Sequence, residues 1–278
     1  MKVQMINSSN LVFIDKIFQG MLNIMQPVEE SYELANYARS VAENIFESAL
    51  ENLRVDDILV KDFIHKVETI KQTFTNGKKS KNYVSKLVAH RYKNYSIDDI
   101  WIDPPRIRII PNSLYLKSGV SYNYAPHRDT WYSGQQDQLN HWISLANVTP
   151  DSSMYICPRY FKLAVKNNSE IYDVDKWNLV YRSDAVRNIE TEQRPHPLPL
   201  EEIDDNDKLI LALDPLNEIC FSGHHIHGSS YNNTDLVRFS IDYRVFIRQN
   251  KYSPPVNIDN KSQGNLKKYM FKLSEFLD

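Results

Sequence analysis

The sequence predicts a mainly β fold with added α-helices, in which an N-terminal helical layer supports a sheet-forming core. Apolar residues recur at helical spacing through the first hundred residues, whereas short β-rich runs follow the turn at Asp103-Pro104-Pro105. A length of 278 residues suits one large domain. We therefore expect a single domain over 1–278, with helical support over about 1–100, a core over about 101–250 and a C-terminal extension over 251–278.

The first long helix is predicted from Pro27. Apolar residues at three- and four-residue spacing between Leu34 and Ala49 form one stripe. Proline suits the first turn of a helix, and Glu29 and Glu30 suit the positive end of its dipole. A second helix is expected over 56–73, and a third after Asn76-Gly77, to about Tyr95. These helices are interpreted as support rather than as part of a site.

The strands are predicted from runs of β-branched and aromatic residues bounded by turn-forming residues. The runs span 106–110, 121–124, 139–148, 154–157, 209–213, 218–221 and 237–247. Helices followed by such runs are typical of a double-stranded β-helix, the two-sheet jelly roll. The segment 161–207 has little periodicity, which is usual for a functional loop or lid inside a compact domain.

Composition excludes several function classes. The net charge is −2 with the signs interspersed, so the chain lacks the basic surface of a nucleic-acid binder. No apolar run reaches membrane-spanning length, and no signal peptide is recognised. The two cysteines, Cys157 and Cys220, lie in apolar segments and are expected to be free and buried. We expect a cytoplasmic protein that acts on a small molecule, with neither nucleic acid nor membrane as a partner.

Two short segments about a hundred residues apart carry a candidate metal site. His127 and Asp129 are two positions apart, so on an extended strand they share a face while Arg128 points away. The segment 219–230 adds three histidines. Two imidazoles and one carboxylate make up the facial triad of non-haem Fe(II) oxygenases.

Three histidines compete for the third position. His225 and His227 share one strand face, and His224 lies on the other. We select His227 because it precedes Gly228-Ser229 and lies eleven positions before Arg238. His225 is the alternative ligand, although for both His224 and His225 a polar role behind the ligands or in the pocket is preferred over ligation.

Arg238 and Ser240 share a face of the last long predicted strand and are candidates for binding a chelating co-substrate. An arginine holds a carboxylate by a charge-assisted bidentate contact. Asn140 is a further candidate, because its amide can donate to a carboxylate bound at the metal. An ordinary salt bridge from Arg238, to Asp242 or Glu218 for example, is the alternative interpretation.

Aromatic residues close to the metal motif are candidate walls of a substrate pocket, since ligand pockets are mostly apolar with a few placed polar groups. Packing in the core is the alternative explanation for these residues. The pocket candidates are Tyr122, Tyr124, Trp131, Tyr132, Trp142 and His225.

These motifs resemble those of the phytanoyl-CoA dioxygenase-like branch of the Fe(II)/2-oxoglutarate-dependent oxygenases. That family joins His-x-Asp to a distal His-Gly-Ser, an Asn and Ser/Thr turn, and then an Arg. In this chain the pattern is 127–129 followed by 227–238, and the resemblance covers roughly 106–247.

The resemblance implies that His127, Asp129 and His227 hold Fe(II), and that Arg238 with Ser240 binds the distal carboxylate of 2-oxoglutarate. It also implies use of O2, with decarboxylation of 2-oxoglutarate to succinate and CO2 coupled to hydroxylation or desaturation of an unactivated C–H bond. Halogenating relatives replace the carboxylate by a small residue, so Asp129 favours hydroxylation or desaturation.

The chain departs from the family pattern at the rim of the pocket. Ser152-Ser153 stands where the family has Asn-Gly, and Pro158-Arg159-Tyr160-Phe161 stands for Pro-Gly-Ser-His. The acyl-CoA substrate of the family is therefore not assumed. Two alternatives remain open: a cupin-like metal enzyme that does not use 2-oxoglutarate, and a catalytically inactive jelly-roll binding protein.

Overall fold

Helices come first along the chain, and most of the strands follow. The computed structural model describes residues 5–8, 11–56, 58–112, 115, 125–146, 148–182, 193–248, 252–256 and 258–277. The helices are α1 (Ile14–Phe18), α2 (Glu29–Phe46), α3 (Val60–Asn76), α4 (Lys78–Arg91) and α5 (Val174–Lys176). The three long N-terminal helices predicted from the sequence are thus confirmed as α2, α3 and α4, with ends shifted by a few residues.

The strands of the described residues fall into two sheets. They are β1 (Met5–Ser8), β2 (Leu22–Met25), β3 (Ile100–Ile102), β4 (Arg106–Ile110), β5 (Leu139–Ser144), β6 (Met154–Cys157), β7 (Leu209–Ile210), β8 (Glu218–Ser222), β9 (Ile226–Ser229), β10 (Arg238–Ile247) and β11 (Phe271–Lys272). The larger sheet has the order β1-β2-β8-β5-β10-β3-β11, and β4 also pairs with β10. The smaller sheet has the order β7-β6-β9.

Strand β10 organises the larger sheet because it is long enough to pair with three other strands, β3, β4 and β5. It runs antiparallel to β5 over six residue pairs, while β4 and β3 share its other edge. Side chains alternate along it: Phe239 and Ile241 join the core with the helices, whereas Asp242 and Arg244 line a cavity. One strand therefore supplies both the core and the polar face beside the candidate site.

The helices pack against the larger sheet in one continuous core. Buried residues of α2, α3 and α4, such as Leu34, Phe74 and Leu87, share this core with Phe239 of β10. A second apolar cluster joins the two sheets, with Trp142 of β5 beside Ile156 of β6. The smaller sheet therefore faces the larger one, on which the helices also pack.

Several strands were not predicted because their sequences are short. The strands β1, β2, β3 and β11 have two to four residues each, too few to display alternation. The strand expected to carry His225 and His227 is β9, which contains His227 but begins only after His225. The predicted strand 121–124 lies outside the described residues. In the weakly patterned segment, α5 is followed by a turn of π-helix over Trp177–Tyr181. In the described part of the chain no helix is long and apolar enough to cross a bilayer.

Candidate metal centre

Three side chains from two distant segments of the chain converge on one point. Nε2 of His127 lies 3.8 Å from Oδ1 of Asp129, and Nε2 of His227 lies 3.7 Å from the same oxygen. The three atoms that could bind a metal all lie within 4.8 Å of one another. Two imidazoles and a carboxylate at such distances can hold one divalent metal ion on one face.

Backbone pairing places the two histidines side by side. The amide of each residue donates to the carbonyl of the other at 2.9 Å, so His127 forms an antiparallel bridge to β9. The two ring centroids are 4.4 Å apart. Two segments a hundred residues apart in sequence thereby become cross-strand neighbours.

Asp129 reaches the site from a turn rather than from a strand, which differs from the extended geometry expected at the sequence level. It begins a 3-10 turn, Asp129–Tyr132, directly after an extended Arg128. Gly134 closes that turn by donating its amide to the carbonyl of Asp129 at 3.2 Å. A Cβ at position 134 would lie 2.6 Å from this carbonyl oxygen, so the close approach requires glycine.

The tautomer of both histidines is fixed by backbone carbonyls. Nδ1 of His127 lies 3.0 Å from the carbonyl of Ala125, and Nδ1 of His227 lies 3.0 Å from that of His225. Because a carbonyl only accepts, each Nδ1 carries the proton and each Nε2 presents a lone pair. Burial lowers the pKa of both rings, that of His127 to about 3, so both imidazoles are neutral at pH 7.

The two oxygens of Asp129 have different surroundings. Oδ2 accepts from Nε2 of Gln138 at 3.0 Å and from Nε of Arg244 at 2.7 Å, while Oδ1 faces the imidazoles. Burial alone would raise the pKa of Asp129. The charge and the hydrogen bond of the Arg244 guanidinium outweigh that effect and hold the pKa well below its ordinary value. The carboxylate is therefore ionised and oriented before any metal binds.

A buried clamp fixes the segment that carries Asp129. The side chain of Arg128 is fully buried, and its Nε donates to Oδ2 of Asp259 at 3.0 Å. Nε1 of Trp131 donates to Oδ1 of the same carboxylate at 2.8 Å. Arg128 also donates to the carbonyls of Tyr160 and Leu163, at 2.6 Å in each case. Arg128 and Trp131, which lie on either side of Asp129 in sequence, thus both bind Asp259 of the C-terminal extension.

A cavity of about 610 Å³ opens beside the three converging side chains. Asn140 and Trp142 of β5 line it, as do Tyr132 and Arg238. Its volume falls in the range of small-molecule sites. The larger sheet supplies one wall and the smaller sheet supplies His227, so the cavity lies between the two sheets.

Arg238 lies in the cavity wall and is 6% exposed. Its Nη1 donates to the carbonyl of Ser152 at 3.1 Å, and its Nη2 to Oγ of Ser229 at 3.2 Å. The carboxylates named as alternative partners are engaged elsewhere, Asp242 with Arg108 and Glu218 with Arg91.

The other two residues expected at the co-substrate site lie close by. Ser240 is buried and contributes nothing to the cavity wall, and among the described residues its Oγ has no hydrogen-bond partner. Asn140 accepts from Nε2 of Gln138 at 2.7 Å through its Oδ1. Ser229, and not Ser240, lies in the cavity wall next to Arg238.

Trp142 lines the cavity, but two other pocket candidates among the described residues, His225 and Trp131, do not. His225 lies away from the cavity: its ring nitrogens contact the carbonyls of Ser222 and Gly20 at 3.2 Å each, and its ring packs on Phe161. Trp131 contacts Asp259 and likewise contributes nothing to the part of the cavity wall that is described. The candidates at positions 122 and 124 lie outside the described residues.

Sequence reasoning missed several residues that the fold brings to the site. Gln138 and Arg244 orient Asp129, and Tyr172 and Trp177 line the cavity beside Tyr132. The alternation of β10 already placed Arg244 on the face of Arg238, which was a usable signal. Tyr172 and Trp177 lie in the weakly patterned segment, where no periodicity points to them.

Three solved structures align with this chain at low sequence identity. The non-heme monooxygenase ThoJ in its apo form aligns at 13% identity over 91% of this chain and 89% of its own, with a TM-score of 0.48. The epimerase SnoN in complex with Fe3+, alpha ketoglutarate and nogalamycin RO aligns at 12% identity over 90% and 96%, with a TM-score of 0.45.

EctD from S. alaskensis in its apo form aligns at 13% identity over 88% of this chain and 84% of its own, with a TM-score of 0.41. No family model matches the sequence, and no curated protein matches it. The functional proposal therefore rests on the side-chain geometry of this chain.

Proposed function

We propose that this protein is an Fe(II)- and 2-oxoglutarate-dependent oxygenase that hydroxylates or desaturates an unactivated C–H bond of a small organic substrate. The observation that carries the proposal is the convergence of Nε2 of His127, Nε2 of His227 and Oδ1 of Asp129. The other polar side-chain atoms of these residues are occupied by orienting hydrogen bonds. Such preorganisation is typical of metal ligands with a supporting outer layer.

The donor set fits ferrous iron. Two neutral imidazoles and one carboxylate leave three positions of an octahedron open, enough for a chelating keto acid and O2. Iron with 2-oxoglutarate and O2 would supply the oxidising chemistry, with succinate and CO2 as by-products. The protein would hold the metal, orient the substrate and exclude water. Because Asp129 occupies the carboxylate position, we favour hydroxylation or desaturation over halogenation.

We place the distal carboxylate of 2-oxoglutarate at Arg238. This guanidinium is buried in the wall of the same cavity, and Ser229 beside it offers a hydroxyl. A buried arginine binds a carboxylate strongly because little water competes for it. Asn140 remains our candidate for the end of the co-substrate near the metal, and Ser240 a candidate for the end near Arg238.

The two-sheet core supports the proposal of a jelly roll within a single domain of the phytanoyl-CoA dioxygenase-like type. The larger sheet is open rather than closed, and the smaller sheet packs on it through Trp142 and Ile156. Cys157 and Cys220 are free and buried, which suits the reducing conditions of the cytoplasm. We propose that compartment for the protein.

The test is an anaerobic titration of the Fe(II)-loaded protein with 2-oxoglutarate, followed by the visible charge-transfer band of the chelated keto acid. Arg238→Ala should raise the apparent dissociation constant for 2-oxoglutarate about tenfold or more, since a buried charge-assisted contact is lost. Arg54→Ala is the matched control, because Arg54 is 60% exposed.

Absence of the band in the wild-type protein, together with no succinate after admission of O2, would contradict the proposal. Metal binding without any effect of 2-oxoglutarate would favour the cupin-like alternative. Absence of both metal and co-substrate binding would favour an inactive binding protein.

A further inference from the structure

The cavity contains a second polar region, which the metal centre does not use. Lys71 of α3 lines the same cavity as the three converging side chains, together with Arg108 of β4 and Arg194. Lys71 is partly buried and forms no ion pair or hydrogen bond with any residue in the described part of the chain. An ammonium group in such surroundings loses hydration without gaining a partner.

The acidic groups near Lys71 do not balance the positive charge. Among the described residues that line the cavity, seven are lysine or arginine and three are aspartate or glutamate. Asp242 is held by Arg108 in a bidentate pair with distances of 2.6 and 3.0 Å. Asp129 is engaged by Arg244, and the buried Asp103 pairs with both Arg106 and Arg244 from behind the wall. With Asp103 included, the seven basic residues still outnumber the acidic ones, which are four. The cavity is therefore cationic, and an Fe(II) ion would make it more so.

A 2-oxoglutarate dianion bound at Arg238 would not remove this excess of positive charge. Burial and the neighbouring guanidinium groups of Arg108 and Arg194 lower the pKa of Lys71 to about 8, against weaker opposing effects of Asp242 and Glu68. Like charges gathered in a low-dielectric cavity repel one another, and an anion placed between them relieves both the repulsion and the lost hydration.

The surroundings of Arg194 suit an organic anion rather than a bare ion. Its guanidinium lies 5.5 Å from the ring centroid of Trp177, and that ring packs on His196 at 4.9 Å. Contact with an aromatic face orients a guanidinium, and its planar fork matches the geometry of a carboxylate or phosphate. Trp177 and Tyr172 continue the wall as an apolar surface for the rest of a ligand.

We propose that Lys71, together with Arg108 and Arg194, binds a carboxylate or phosphate group of the substrate, so that this enzyme acts on an anionic small molecule. This inference rests on the proposed function, because it assigns the substrate class to the cavity of the candidate metal centre. The anionic group would fix one end of the molecule and leave its carbon skeleton to extend toward His127 and His227.

The test uses the full chain with Mn(II) in place of Fe(II) and with saturating 2-oxoglutarate, and inorganic phosphate as the probe. Phosphate bound in this cavity lies close to a paramagnetic ion, so its 31P relaxation should be enhanced in proportion to the bound fraction. Lys71→Met should weaken phosphate binding about tenfold or more, as expected for the loss of a charged contact. Lys61→Met, on an exposed position of the same helix, should leave it unchanged.

Equal phosphate affinity in Lys71→Met and the wild type, or no relaxation enhancement in the wild type, would overturn the inference. A rise in the dissociation constant for 2-oxoglutarate in Lys71→Met would also overturn it, because Lys71 would then belong to the co-substrate site. The Fe(II)/2-oxoglutarate charge-transfer band of the wild type separates the two proposals. If that band is absent the proposed function fails, and if it is present with no effect of Lys71 only the substrate assignment fails.

Discussion

Replacing Glu218 by glutamine should destabilise the protein strongly, because this carboxylate is the centre of a fully buried polar cluster beneath the cavity. Its Oε2 accepts from Nε of Arg91 at 2.9 Å, and its Oε1 accepts from Nδ1 of His141 at 2.7 Å and from the hydroxyl of Tyr243. Glutamine keeps the shape but removes the charge. It also turns an NH2 group toward groups that donate.

The expected magnitude follows from the charge left behind. Both side chains of the Arg91–Glu218 pair are 0% exposed. Removal of one partner from a buried pair typically costs about 3 to 5 kcal/mol, because the other charge remains in a medium of low dielectric constant. Arg91 lies in α4 and Glu218 in β8, so the loss weakens the attachment of the helical layer to the larger sheet.

The same buried contacts should make the stability of the protein depend on pH. Burial would raise the pKa of Glu218, but the hydrogen bond and charge of His141 and the charge of Arg91 outweigh it and lower the pKa from 4.5 to about 2. A depressed pKa stabilises the folded state fully above the unfolded value of 4.5, and this stabilisation is lost as the pH falls toward 2. At about 1.4 kcal/mol per pKa unit, the contribution is about 3 kcal/mol.

The assay is urea unfolding of the wild type and Glu218→Gln at pH 7 and at pH 3, with exposed Glu202→Gln as control. Other carboxyl groups titrate in both proteins, so the difference between them isolates Glu218. The gap in the free energy of unfolding should be about 3 kcal/mol at pH 7 and clearly smaller at pH 3. A gap below about 1 kcal/mol, or one that is equal at both pH values, would refute the reasoning.

Two further predictions concern the support of Asp129. Gln138→Leu removes the amide that orients Oδ2 of Asp129 and should weaken metal binding about tenfold, as measured by calorimetry. Gln136→Leu, on the exposed part of the same loop, should leave the affinity unchanged, and equal affinities in the two variants would exclude an orienting role for Gln138. Asp259→Asn leaves the buried Arg128 without its counter-charge and should lower the free energy of unfolding by about 3 kcal/mol; a loss below about 1 kcal/mol would show that the clamp is not needed.

Much of the fold could be predicted because its signals are local. The stripe of α2 and the run 106–110 are readable without tertiary information, and both elements are found where they were expected. The strand β9 was harder to delimit, since it has four residues and acquires its pairing from β6 and His127. A strand that depends on partners distant in sequence has little local signature.

Some residues of the candidate site could also be predicted from the sequence, and others could not. His127, Asp129 and His227 were predicted from spacing, and the structure brings these three side chains together. Gln138 was not predicted, because a buried amide that orients a carboxylate has no sequence pattern of its own. The asymmetric surroundings of the two Asp129 oxygens arise only when β5, β10 and the turn at 129–132 are packed together.

The same limit applies to the cavity walls. Trp131 stood beside the metal motif in sequence, yet its indole is committed to Asp259, whereas Tyr172 and Trp177 come from a segment without periodicity. The spacing of the motifs placed His127 and His227 well, because backbone pairing between their two segments brings the rings together. Proximity in sequence placed the walls poorly because they depend on long loops.

The central claim is that His127, Asp129 and His227 together hold one Fe(II) ion. Anaerobic titration calorimetry of Fe(II) into the full chain tests this most directly, with Asp129→Ala and His227→Ala as the variants and His225→Gln as the control. We predict one ion per wild-type chain, retained in His225→Gln and weakened at least a hundredfold in the other two variants, since a ligand is lost in each. Undiminished binding in His227→Ala, with loss of the ion in His225→Gln, would contradict the account.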